Sequence, residues 1–307
     1  MYNGLIAIWK ESGMTSHDVV FQLRKIFAMK KIGHTGTLDP DVEGVLLVCL
    51  GQGTKLVDYL MDGRKLYQGE VTLGIATDTQ DASGQVIDQK PIQVAIGDSL
   101  IDRVLSGFNG WIDQEAPLYS AVKVNGKKLY EYARAGIEVD PPIRSVWVDY
   151  FKRTGPSIYN PNQRTQCFNF EVSCGKGTYV RTLAVDAGKK LAYPAHMSKL
   201  ERLATGGFNK DQSWSLDQLR ILKEEGRLDQ AVIPLEVAVA NLPRYDLSSE
   251  QAQKVQNGVL LEKDYFDILP DPYLALFEED CLLAIYQVHP KKTDYLKPYK
   301  MFPKEEG

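Results

Sequence analysis

The sequence predicts an α+β protein of two domains, and three observations carry that expectation. Strand-like and helix-like segments intermix without a regular strand-helix-strand rhythm, the pattern changes after Asn241-Leu242-Pro243, and no internal repeat or low-complexity tract is present. The 307 residues, 44% hydrophobic and 25% charged, supply core for one large domain, 1–240, and one small domain, 241–307.

Read in order, Gly4 to Trp9 forms a short strand. Thr15-Ser16-His17-Asp18 has capping-box spacing ahead of Val19, Val20, Leu23, Ile26 and Phe27, which recur at helical intervals. Lys31 to Gly44, rich in Gly, Thr, Asp and Pro, is a loop feeding the buried strand Val45 to Leu50. Leu56, Val57, Leu60 and Met61 mark a helix ending at Gly63, and Tyr67 to Ile75 alternates as a strand before the turn at Asp81 to Gly84.

Tyr119 to Val124 is extended, Asn125-Gly126 turns the chain, and Leu129, Tyr132 and Ala133 share one face of a helix capped by Gly136. Pro141-Pro142 closes this unit. Thr165 to Ser173 alternates as a strand, Gly175-Lys176-Gly177 is a tight turn, and Thr178 to Leu191 is helical. In the small domain, a helix over Ser248 to Asn257 precedes strands at Tyr273 to Phe277 and Leu282 to Val288.

Charge is uneven. The formal net charge is −4, yet Pro117 to Lys210 holds fifteen Lys and Arg against seven Asp and Glu, a net of +8 that leaves −12 elsewhere. A basic segment permits an RNA partner, although solvated helix faces produce the same composition. No apolar run approaches the roughly 20 residues of a membrane span, and Met1 to Lys10 lacks a signal-peptide core, so a cytoplasmic location is expected. Cys49, Cys167, Cys174 and Cys281 form no CxxC pair; they are expected to be reduced and mostly buried, with no metal site.

The densest chemistry lies in Gly33-His34-Thr35-Gly36-Thr37-Leu38-Asp39-Pro40. Proline after Asp39 restrains that residue to extended geometry, so the loop can present one carboxylate in a fixed pose. An Asx-type turn, in which Asp39 only caps backbone groups, explains the same residues in isolation. Gly51-Gln52-Gly53-Thr54-Lys55 and Gly175-Lys176-Gly177-Thr178 lack Walker spacing and read as tight turns.

The longer string Gly33 to Leu46, GHTGTLDPDVEGVL, resembles the signature of the tRNA pseudouridine-55 synthases, the TruB type. Lys65-Leu66-Tyr67 through Leu73-Gly74, then Thr77-Asp78-Thr79 with Asp81 and Gly84, is similar to that family's second motif. Pro117 to Gly136 resembles its RNA-gripping thumb, Cys174 to Thr182 its arginine motif, and His196 with Leu200, Arg202, Leu203 and Ala204 its last catalytic-domain motif. The sequence departs from the family at Glu11, Ala116 and Glu201, where proline, proline and arginine are common; Glu201 should weaken local phosphate attraction.

The resemblance implies a mixed, largely antiparallel central sheet of the pseudouridine synthase type with flanking helices, and a small PUA-like β-rich C-terminal domain. It implies Asp39 as nucleophile, attacking C1′ or C6, with Arg181 keeping it charged and oriented. Tyr67 would stack on the extruded uracil and could assist proton removal from C5. His34, Tyr179, Leu200, Lys123 and Arg202 match substrate-binding positions, and Lys127, Lys128 and Arg134 would follow phosphates along a thumb at about 114–143.

The implied reaction, isomerisation of a uridine in the tRNA T arm, requires no cofactor or metal. The expected partner is tRNA, with no membrane and no obligatory protein partner, and the chain is expected to be a monomer. A non-catalytic RNA chaperone on the same fold is the alternative; the presence of Asp39, Tyr67 and Arg181 argues against it. Phosphoryl transfer lacks its clustered carboxylates and phosphate loop.

Overall fold

The computed structural model describes residues 2–268 and 270–303; Met1, Leu269 and 304–307, which the two expected domains include, lie outside the described residues. β1 (Gly4–Lys10) leads to α1 (Ser16–Ile26), where N-cap Thr15 and Asp18 form the expected capping box. β2 (Ile32–His34) lies inside the segment expected to be wholly loop, because its backbone pairs with the end of β3 (Glu43–Leu50). The helix expected from Leu56 begins instead as a 3₁₀ turn over Gly51–Leu56, leaving only α2 (Val57–Met61) in α geometry. β4 (Lys65–Leu73) breaks at Gly74, whose φ of 102° suits glycine, before β5 (Ile75–Thr77).

β6 (Val86–Gln89) pairs with β5, and α3 (Asp98–Ser106) then precedes β7 (Gly110–Glu115). A small excursion follows: β8 (Lys123–Val124) and β9 (Lys127–Lys128) pair as a hairpin, and α4 (Leu129–Ala135) ends at left-handed Gly136. Asn125 and Gly126 have φ of 49° and 83°, the paired positive values of a two-residue hairpin turn. The Ala116 N–H donates to the Pro142 carbonyl at 3.1 Å, closing the base of the excursion.

The chain returns through β10 (Ile143–Arg153), β11 (Ile158–Asn160) and β12 (Thr165–Cys174). α5 (Val180–Lys190) and β13 (Ala195–Thr205) follow, then β14 (Phe208–Asn209), α6 (Leu216–Glu224) and α7 (Leu235–Ala238). Beyond Pro243 lie β15 (Arg244–Asp246), α8 (Ser249–Gln256), β16 (Leu261–Glu262), β17 (Tyr273–Glu278), β18 (Cys281–Val288) and β19 (Tyr295–Met301).

The principal sheet has the order β1-β3-β13-β4-β12-β10-β7, and β3 with β13 is its one parallel pairing among the described residues. The second sheet, β15-β17-β18-β19-β16, is built from residues after Pro243. This is the expected mixed, largely antiparallel architecture with a β-rich C-terminal part.

Alternation along β1 explains how the two sheets meet. Ile6 and Ile8 pack against α1 and α6, while Leu5 and Ala7 face the opposite way into a cluster holding Ala275, Phe277, Leu282 and Ile285. A strand buried on both faces needs apolar residues throughout, as Val45 to Leu50 supply, and each large one contributes about 1.5–3 kcal/mol. A third cluster joins β4, β10, β12 and β13 to α3 and α5.

Cysteine burial is lower than expected: Cys49 and Cys174 are buried, whereas Cys167 is half-buried and Cys281 exposed. Cys281 begins β18 beside the Glu279-Asp280 turn, where the chain reaches the surface. No helix among the described residues is long and apolar enough to cross a membrane.

Candidate active site

The loop between β2 and β3 carries Asp39, and several groups fix it. The Ser16 hydroxyl accepts from the Leu38 N–H at 2.8 Å, while Leu38 is buried in the core beneath. Lys10, fully buried at the end of β1, donates to the Pro40 carbonyl at 2.9 Å and to the Met14 carbonyl at 2.7 Å. The Gly13 N–H also donates to the Pro40 carbonyl, at 3.0 Å. Asp39 is therefore held from both neighbours, as extended geometry before proline allows.

Arg181 lies in the first turn of α5 and is 5% exposed, so it is not a surface charge. Its Nε is 3.1 Å from Asp39 Oδ2 and its Nη2 3.5 Å from Asp39 Oδ1. Nη1 donates to the Thr79 carbonyl at 3.0 Å and lies 3.5 Å from Asp81 Oδ2; Nη2 donates to the Tyr119 carbonyl at 3.1 Å. A planar guanidinium with this many partners has a fixed orientation. Asp81 is held in turn by the Thr79 hydroxyl at 2.7 Å and the Ser83 hydroxyl at 2.6 Å.

Burial pushes the Asp39 carboxyl above its ordinary pKa, Arg181 pulls it back, and Asp81 adds to the rise. The Asp39 side chain nevertheless keeps 41% exposure, which gives a reactant access. It is a carboxylate with one face on a buried cation and the other open.

Tyr67 sits on β4 with Val172 of β12 on one side and Arg202 of β13 on the other. Burial raises its phenol pKa, with the Arg202 guanidinium opposing that rise. A phenol that stays protonated at neutral pH is a poor base, and at 7% exposure little of the Tyr67 ring is open to solvent. Leu200 is half-buried against the same core, and Tyr179 is the N-cap residue of α5. His34 accepts through Nδ1 from the Gly36 N–H at 3.3 Å, and burial, aided by Arg202 and His17, lowers its pKa and keeps it neutral.

Arg202 departs from expectation. It is 1% exposed, with Nε donating to the Val45 carbonyl at 2.7 Å and Nη2 to the Gly36 carbonyl at 3.3 Å. The backbone around it lies between β3 and β4, so its side chain is directed under the loop and away from solvent. Arg202 supports the loop and Tyr67 from below, with its guanidinium spent on backbone carbonyls. Lys123, by contrast, is exposed on β8 of the excursion.

Glu201 accepts from Gln68 Nε2 at 3.1 Å and lies 3.8 Å from Lys210 Nζ. A groove of about 590 Å³ is lined by Asp41, Glu43, Lys199 and Glu201 among others, but not by Asp39, Tyr67 or Arg181. Its carboxylates make it a poor seat for a phosphate chain.

The support by Lys10, Ser16 and Asp81 was not legible in the sequence. A lone lysine at the end of an apolar strand was the available signal for Lys10, since charge there requires buried partners.

Two family models match, described as "TruB family pseudouridylate synthase (N terminal domain)" over residues 24–180 and "tRNA pseudouridylate synthase B C-terminal domain" over 181–240. A Ligilactobacillus salivarius protein named tRNA pseudouridine synthase B is 50% identical, covering 95% of this chain and 97% of that protein. One of the same name from Bacillus pumilus is 45% identical over 100% and 99%. Among solved structures, a Cbf5-Nop10-Gar1 complex has a chain with TM-score 0.69 and 26% identity, covering 98% and 84%. An H/ACA RNP bound to a substrate RNA containing 2'-deoxyuridine gives TM-score 0.71 at 24% identity over 99% and 86%, a likeness of fold.

Proposed function

The chain belongs to the TruB family of pseudouridylate synthases and is an isomerase that makes pseudouridine in tRNA, and from that premise we propose that Asp39 is its nucleophile and uridine 55 of the T arm its target. The observation that carries the assignment of Asp39 is its position: an accessible carboxylate, fixed on both sides, paired with a buried arginine. Nucleophilic attack, at C1′ of the ribose or C6 of the uracil, needs the ionised form, and Arg181 favours it.

The uridine leaves its stack at a cost of a few kcal/mol. In the complex the extruded uracil stacks on Tyr67 against the apolar wall of Leu200, a contribution of about 1–3 kcal/mol that requires the largely buried ring to become accessible. His34 and Tyr179 complete the binding surface. The glycosidic N1–C1′ bond breaks, the uracil turns and C5 bonds to C1′; the bond to Asp39 is broken again, and the C5 proton is lost while N1 gains one, so product and substrate are isomers. The neutral Tyr67 phenol favours a stacking role over proton removal.

Residues 114–143 act as a thumb on the RNA, with Lys123, Lys127, Lys128 and Arg134 directed to phosphates. Residues 241–307 form the PUA-like RNA-binding domain after a catalytic domain of 1–240. The enzyme works as a cytoplasmic monomer without an obligatory protein partner. Carbodiimide labelling of tRNA followed by primer extension tests the target: a new stop at uridine 55 only after incubation with the protein is expected, and a stop elsewhere overturns the position.

A further inference from the structure

β7 alternates, with Trp111 and Asp113 outward and Ile112 inward, so position 114 on the inward face calls for an apolar residue. The residue there is Gln114, 3% exposed. Its Oε1 accepts from the Tyr179 N–H at 2.7 Å, and its Nε2 donates to the Tyr179 carbonyl at 3.1 Å. Both ends of the amide are therefore spent on the backbone of one residue, the N-cap of α5.

Arg181 lies two residues further on. The chain leaving β7 touches α5 again at that point, where the Tyr119 carbonyl accepts from Arg181 Nη2 at 3.1 Å. Tyr179 packs against Ala116, Val122 and Leu129, a small cluster at the base of the excursion. A single stretch from Gln114 to Tyr119 thus fixes the start of the helix and the orientation of its guanidinium. The neighbouring Ser120 hydroxyl is buried without a partner, so polar groups at this seam are not all satisfied among themselves.

We propose that Gln114 is a positioning residue for the isomerisation, clamping the backbone of Tyr179 so that Arg181 meets Asp39 in its reactive pose. The assignment rests on Asp39 acting as nucleophile. Small displacements of a reacting group have large effects, with about 1 Å able to cost about a hundredfold in rate. A buried glutamine that merely satisfied its own amide would stabilise the fold without affecting the ionisation of Asp39.

Gln114→Leu removes both hydrogen bonds at similar volume; Gln114→Glu keeps the acceptor for the Tyr179 N–H at a helix start that favours an anion. Single-turnover rates on tRNA, filter-binding Kd, melting temperature and the pH dependence of the rate are measured for each. For Gln114→Leu, a cooperative melt, Kd within about twofold of wild type and a rate about tenfold lower are expected. The acidic limb should move to higher pH, since a looser Arg181 stabilises ionised Asp39 less, and Gln114→Glu should be intermediate. In an Arg181→Lys background the leucine change should cost less than about twofold more.

A leucine variant with wild-type rate, or one whose loss follows tRNA binding with an unmoved acidic limb, overturns the assignment. If the leucine variant does not fold, an unmoved limb in Gln114→Glu does the same. A wild-type protein that makes no pseudouridine overturns the activity and this assignment together, whereas an active wild type with a silent Gln114 overturns the assignment alone.

Discussion

Arg181 Nε lies 3.1 Å from Asp39 Oδ2, joining a buried guanidinium to a carboxylate that is 41% exposed. The cation is the fixed member of the pair, because two backbone carbonyls and Asp81 hold it independently of Asp39.

Arg181→Lys keeps a positive charge but loses the planar fork, so Asp39 loses both orientation and part of its electrostatic support. The rate constant should fall by roughly 10²–10³. The acidic limb of the pH-rate profile should move upward, since burial already raises the Asp39 pKa and Arg181 is what opposes it. Single-turnover kinetics across pH check both statements.

Asp39→Asn should melt at or above the wild-type temperature. A carboxyl whose folded pKa is raised makes the protein less stable as pH rises from the unfolded value through the folded one, and the neutral amide removes that cost. Scanning calorimetry at pH 7 decides it; a clearly lower melting temperature would show that the ion pair is a net structural support.

Asp81→Asn should reduce the rate by about tenfold, less than Arg181→Lys, because the Thr79 and Tyr119 carbonyls still orient the arginine. Comparing the two variants in one single-turnover series checks the order.

How far the sequence anticipates this arrangement depends on whether a residue acts locally. The Thr15 capping box, the Asn125-Gly126 turn and the Gly136 cap were all legible, since each is determined by neighbours a few residues away. Gln114 and Tyr179 are far apart in sequence and meet through sheet packing, for which spacing holds no signal. Arg202 shows the opposite hazard. Its motif match suggested RNA, but its position between two strands sends the side chain into the core. Ile32 to His34 became a strand because β3 offered an unpaired edge, which composition does not reveal.

Lys65 is buried, donates to the Met61 and Gly63 carbonyls, and has its pKa lowered to about 8, chiefly by burial. Between about 8 and the ordinary 10.5 the unfolded chain holds this proton and the folded chain does not, so its contribution to stability rises with pH there. Urea unfolding of wild type and Lys65→Met across that window should show the difference moving in favour of wild type; a pH-independent difference would contradict it.

Replacing Lys127 and Lys128 by alanine should weaken tRNA binding and reduce the slope of log K against log salt by about 1.5, as loss of two phosphate contacts requires. Filter binding from about 50 to 200 mM salt measures this, and an unchanged slope would place those lysines away from the RNA.

The most direct measurement is tritium release from tRNA carrying 5-tritiated uridine, with wild-type and Asp39→Asn proteins at equal concentration and confirmed tRNA binding. Release by the wild type and none by Asp39→Asn is the predicted result. Continued release by the asparagine protein would contradict the assignment of Asp39 as nucleophile.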